Sequence, residues 1–127
     1  MNEELLQAAR EAGRRAHCPY SNFHVGAAVL ADGRVYTGAN VENASYGLTI
    51  CAERTAVFAA VLAGAKRIEP VAVACLDAVD GGDPASFMPC GACRQVLAEF
   101  AGPDVPVHVD RAGTFTLGDL LPRAFRL

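Results

Sequence analysis

Two short cysteine-bearing segments constrain this chain more than anything else in it: Cys51-Ala52-Glu53 and, well downstream, Pro89-Cys90-Gly91-Ala92-Cys93. Cys90 and Cys93 stand three apart, so one helical turn presents both to a single point. Cys51 has to reach that point from elsewhere, so the fold must bring two distant segments together. Three thiolates suit a zinc ion. Three protein ligands rather than four leave a position open for water, which marks a catalytic centre and not a structural one. Glu53, two residues from a ligand, is placed to move protons on and off that water and a substrate.

The remaining cysteines do not extend the pattern. Five in total is an odd number, and Cys-x-x-Cys in a reducing compartment points to metal or redox chemistry, not a disulfide framework. Cys18 and Cys75 read as small buried apolar residues. His17, His24 and His108 lack ligand spacing and are left structural.

At 127 residues the chain is long enough for one domain with a real core, spanning 1–127, and too short for two. It is 20% charged, below the usual share of about 25%, and the apolar surplus fits an oligomer interface. The net charge of −3 and a pI of about 5.5, with no Lys/Arg block, argue against a nucleic-acid partner. The opening Met1-Asn2-Glu3-Glu4 is acidic and has no apolar leader. Val57 to Ala63 is too short to cross a bilayer. The expectation is a soluble, cytoplasmic protein with no membrane partner.

Periodicity predicts a helix from about Glu3 to Ala16, stopped before Pro19. Strands are expected over Val25–Ala31 and Val35–Ala39, joined by the hairpin pair Asp32-Gly33. A helix from Cys51 to Ala63 ends at Gly64, and Val71–Leu76 is a buried strand. Asp80 to Pro84 is a loop. A helix over Gly91–Phe100 ends at Gly102-Pro103, and Val105–Val109 is a further strand. Leu117–Leu121 forms a short helix. Strands alternating with helices predict an α/β fold. Both cysteine groups then fall at helix N-termini, whose partial positive charge favours anionic sulfur. Gly91 lets backbone approach the sulfurs closely.

Cys51-Ala52-Glu53-Arg54 with Pro89-Cys90-Gly91-Ala92-Cys93 resembles the zinc deaminases, in which a Cys or His, then x-Glu, is followed by Pro-Cys-x-x-Cys. Over nearly its whole length the chain is similar to the small, homotetrameric cytidine deaminases. The resemblance implies a three-layer α/β/α sandwich around a single mixed sheet of about five strands. It implies one Zn2+ per subunit on Cys51, Cys90 and Cys93, with Glu53 as the catalytic proton shuttle. The reaction would be hydrolytic deamination of cytidine and 2′-deoxycytidine in pyrimidine salvage. Three thiolates on a divalent ion leave a formal charge of −1, which weakens it as a Lewis acid; Arg54, which the resemblance makes a metal-tuning residue, would offset this.

Further positions follow from the same likeness. Asn40 and Glu42, two apart in extended chain, face the same way, and an amide beside a carboxylate suits a sugar diol. Taken by themselves they read better as a plain polar loop with turn-forming Asn. The resemblance assigns them to the ribose 3′-hydroxyl, where Glu42 would also repel a 3′ phosphate. Phe23 would pack on the pyrimidine, or else sit in the core, and the Ala52 backbone would touch the attacking hydroxyl. Ala44, Tyr46 and Phe125 would reach a neighbouring subunit's site, giving a homotetramer with shared active sites. Met88 stands where the family often has Ser, and Arg126 where it often has Gly.

Three rivals stand beside this reading. One is a blasticidin S-type aminonucleoside deaminase on the same scaffold. Another is a structural zinc-binding interaction module, for which Cys18 or Cys75 would supply a fourth ligand. The third is a polynucleotide-editing deaminase.

Overall fold

The computed structural model describes residues 2–127. Helix α1 (Asn2–Gly13) leads into a hairpin of β1 (Val25–Ala31) and β2 (Arg34–Ala39). Then come α2 (Ala52–Leu62), β3 (Val71–Cys75), α3 (Gly91–Phe100), β4 (Pro106–Val109), β5 (Gly113–Thr116) and α4 (Leu117–Leu120). The strands make one sheet in the order β2-β1-β3-β4-β5. The β3–β4 pair, which α3 connects, is parallel, and the other pairs are antiparallel.

Strand alternation divides the helices between the two faces. Ala27, Val29, Val71, Val73, Val107 and Val109 meet Ala56, Val57 and Ala60 of α2 and Leu97 and Ala98 of α3. On the other face Ala28, Ala72 and Ala74 meet Leu5 and Ala9 of α1. The result is the expected three-layer α/β/α sandwich. β3 is buried at all five positions, as a strand covered on both faces must be.

Two differences from the sequence reading have local causes. α1 stops at Gly13, not Ala16, because the chain must extend to pair with the segment after β2: His17 N–H donates to Asn40 O (3.0 Å) and Glu42 N–H to His17 O (2.8 Å). The fifth strand, Gly113–Thr116, is the one that no segment of the sequence reading names. It is a short edge strand with no buried position, so it carries no hydrophobic period.

Two glycines set how closely the helices lie on the sheet. A Cβ on Gly38 of β2 would overlap Thr55 Oγ1 and Ala56 N of α2, and one on Gly26 of β1 would overlap Ala9 O of α1. Only a residue without a side chain permits backbone contact this close. Thr55 completes the contact between α2 and the end of β2, its hydroxyl donating to Ala39 O at 2.9 Å. Gly38→Val should therefore lift α2 and destabilise the fold by at least the ~1–3 kcal/mol of an overpacked core. A melting temperature equal to that of the parent would refute this.

The β4–β5 turn is tied to α1. Arg10 donates to both carboxylate oxygens of Asp110, at 2.8 and 3.0 Å. These hydrogen bonds, more than any other factor, hold Asp110 below the usual carboxylate range. Its stabilisation is complete above its unfolded value of about 3.9 and is lost as pH falls through the lower folded value. Asp110→Asn should flatten the acid limb of a melting temperature–pH curve below about pH 4 and leave its slope near neutrality unchanged.

Candidate active site

Helices α2 and α3 begin at the same place. Cys51 is the N-cap of α2 and Cys90 the N-cap of α3, and neither side chain caps its own helix. Their sulfurs lie 3.8 Å apart, and Cys90 Sγ donates to Cys93 Sγ at 3.5 Å. All three sulfurs lie within 4.8 Å of one another. Tetrahedral zinc with Zn–S bonds of about 2.3 Å needs sulfurs about 3.8 Å apart. The donor set and its spacing thus fit the ion, with Cys51, Cys90 and Cys93 as the residues that would hold it.

No further thiol joins this cluster among the described residues. Cys75 donates to Phe87 O at 3.7 Å, and burial pushes its thiol up to about 12. Cys18 is also buried, and burial raises it too. Neither can close a four-sulfur structural centre. A Cβ on Gly91 would meet nothing within 4 Å, so there is room for a side chain at that position.

The cluster is electrostatically frustrated as thiols alone. The neighbouring Cys93 thiol, helped by Arg54 and Cys90, pulls Cys51 down to about 5. The closeness of Cys51, with burial, pushes Cys93 well up. One negative charge is thus accommodated and the next is opposed, an opposition that a divalent cation removes. Arg54 Nη2 donates to Cys51 Sγ at 3.3 Å. Its Nε is buried without a partner.

Glu53 is only 4% exposed. Desolvation raises its carboxyl to about 7, and the charge of Cys51 adds to the rise. A carboxyl that titrates near neutrality can both take and return a proton.

These groups open onto a cavity of about 210 Å³, lined on its polar side by Asn40, Thr49, Cys51, Glu53, Ser86 and Cys90. Phe23, Val25, Val73, Phe87 and Met88 form most of its apolar wall, and Ala52 also faces it. Glu42 and Tyr46 line an adjoining depression with Tyr20, Ser21 and Thr49, and Thr49 is common to both. Phe125, 70% exposed, and Ala44, also exposed, line neither.

Sequence reasoning missed the roles of Thr49, Ser86 and Phe87, none of which lies in a motif. It also left Gln95 without a role. Gln95 Nε2 donates to Phe125 O at 2.9 Å, and Arg126 donates to Ala98 O and Ala101 O at 2.6 and 3.4 Å. The C-terminal tail is thereby bound along α3.

Residues 1–109 match the family model of the cytidine and deoxycytidylate deaminase zinc-binding region. The chain belongs to this family. It is 50% identical over 124 residues to a cytidine deaminase of Mycobacterium tuberculosis, covering 94% of this chain and 85% of that one. A cytidine deaminase of Sporosarcina psychrophila is 44% identical over 128 residues, with 97% and 90% covered. Among solved structures, a cytidine deaminase from Burkholderia pseudomallei superposes with a TM-score of 0.86 at 44% identity, covering 98% of this chain and 99% of that one. The family's zinc-binding character agrees with the three-thiol cluster.

Replacing Cys51, Cys90 or Cys93 by Ala should abolish stoichiometric zinc binding and lower the melting temperature, because an ion held only by the folded chain contributes folding free energy. Metal analysis beside a thermal melt measures both. Full zinc content in any of the three variants would remove that sulfur from the ligand set.

Proposed function

We propose that this chain is a zinc-dependent hydrolase that converts cytidine and 2′-deoxycytidine to uridine and 2′-deoxyuridine with release of ammonia. The observation that carries the reading is the buried Glu53 carboxyl on the wall of the cavity onto which the cysteine cluster opens. The relatives named above supply the substrate class.

When bound, zinc acts as a Lewis acid that acidifies a water molecule. The chain's residues do the rest. Glu53 takes a proton from the attacking water and delivers it to N3 of the base, which makes C4 electrophilic. After oxygen adds at C4, Glu53 passes a proton to the amino group, which departs as ammonia. Burial keeps this carboxyl free of competing solvent. Arg54, hydrogen-bonded to Cys51, offsets the excess negative charge of the sulfurs. Phe23 gives the flat ring an aromatic wall, and the backbone at Ala52 faces the attacking oxygen.

Asn40 and Glu42 hold the sugar at its 3′-hydroxyl. Support comes from Thr49, which joins the depression at Glu42 to the main cavity. Glu42 is an anion held below the usual carboxylate range, chiefly by the Ser21 hydroxyl, and it disfavours a 3′ phosphate. Together with the net charge of −3 this favours free nucleosides over DNA or RNA.

The active assembly is a homotetramer in which Ala44, Tyr46 and Phe125 complete a neighbour's site. Exposed Leu48, Phe58, Leu62 and Phe125 supply apolar surface for it. Pyrimidine salvage in the cytoplasm is the setting. No helix among the described residues is long and apolar enough to cross a membrane.

Glu53→Ala should keep zinc and fold but reduce ammonia release from cytidine by at least the ~10²–10⁴-fold of a lost general acid–base. An ultraviolet assay beside metal analysis reads both. Zinc-loaded parent protein that turns over blasticidin S but not cytidine would displace the nucleoside assignment.

A further inference from the structure

The segment that carries Phe23 is held mainly by side chains. Val25 N–H donates to Asn40 Oδ1 (2.9 Å), and Asn40 Nδ2 donates to Phe23 O (2.8 Å). His24 N–H donates to Asp77 Oδ2 at 2.6 Å. Tyr20 N–H and Ser21 N–H both donate to Glu42 Oε1, at 3.0 and 3.2 Å. Between these anchors one hydroxyl faces both ways. Ser21 Oγ donates to Glu42 Oε2 and accepts from Phe23 N–H at 3.0 Å.

A hydroxyl has one hydrogen to donate, and that hydrogen is committed to Glu42. The chain Phe23 N–H to Ser21 Oγ–H to Glu42 carboxylate therefore runs in one direction, and each bond polarises the next. At one end is the ring that walls the base cavity. At the other is a carboxylate facing the adjoining depression, with three of its roughly four acceptor sites filled by Tyr20 and Ser21.

We propose that Ser21 is a positioning residue that couples recognition of the sugar 3′-hydroxyl by Glu42 to the placement of Phe23 against the base. The proposal rests on the assignment of Glu42 to the sugar made above. A 3′-hydroxyl takes the last acceptor site of Glu42 and orders the carboxylate. Ser21 transmits that order to the backbone of Phe23, which fixes the ring's distance from Glu53. The sugar then contributes to the chemical step as well as to binding, since small misplacements at a reacting centre are costly in rate.

Removing the Ser21 hydroxyl leaves Glu42 its two backbone donors, so the sugar still binds and only the transmission is lost. The test compares 2′-deoxycytidine with 2′,3′-dideoxycytidine, which differ only at the 3′-hydroxyl, in zinc-loaded wild type, Ser21→Ala and Ser21→Thr. In wild type the dideoxynucleoside should have a higher KM and a kcat lower by about tenfold, the scale of one hydrogen bond to a charged group. In Ser21→Ala the KM difference should persist while the two kcat values become equal. Ser21→Thr, which keeps the hydroxyl, should keep the kcat difference. A kcat difference lost in both variants, or in neither, overturns the relay. Wild-type enzyme that treats the two nucleosides alike in both KM and kcat instead removes the sugar assignment of Glu42, and the relay with it. Melting temperatures and metal content of the variants confirm that the comparison is made on folded, loaded protein.

Discussion

The meeting of two helix N-termini at three sulfurs governs the rest of this structure. Cys51 and Cys90 each cap a helix without bonding to it, so two positive helix ends face one cluster of potential anions. Without a cation the sulfurs oppose one another, with Cys51 drawn toward the thiolate and Cys93 held as the thiol. The spacing of the three sulfurs fits a divalent ion. The sheet exists, in functional terms, to hold α2 and α3 in that relation. β3 and β4 flank the α3 crossover in parallel, and β2 receives α2 at a glycine that leaves no room for adjustment.

From this constraint the chemistry follows in a short series. Glu53 is the second residue of α2 and lines the cavity, and burial, helped by the charge of Cys51, brings its carboxyl near neutrality. Arg54, the next residue, turns instead to Cys51. Two successive side chains thus divide the work, one toward the substrate and one toward the ligands. The apolar wall of Phe23, Val25, Val73, Phe87 and Met88 lowers the dielectric around Glu53, which strengthens charge interactions inside the cavity.

Much of this was legible in the sequence, for physical reasons. The cysteine spacings, the hairpin at Asp32-Gly33 and the uninterrupted apolar run of β3 are each short-range signals that no tertiary contact overrides. α3 and β1 lie where their patterns place them. What was not legible depends on long-range contact. β5 has no period of its own and exists because Pro106–Val109 offers it an edge. Asn40 and Glu42 stand out as a polar pair, but nothing local shows that the fold brings residues 20–25 against them. Met88, noted only as unusual, proves to be part of the cavity wall, and Arg126, noted likewise, proves to bind the end of α3.

That last contact bears on how the helix that carries Cys90 and Cys93 is closed at its far end. α3 has no basic residue in its final turn, and the guanidinium that satisfies its terminal carbonyls comes from Arg126, in the segment after α4. Detachment of that tail would therefore leave the helix that supplies two of the three sulfurs free to fray from its opposite end.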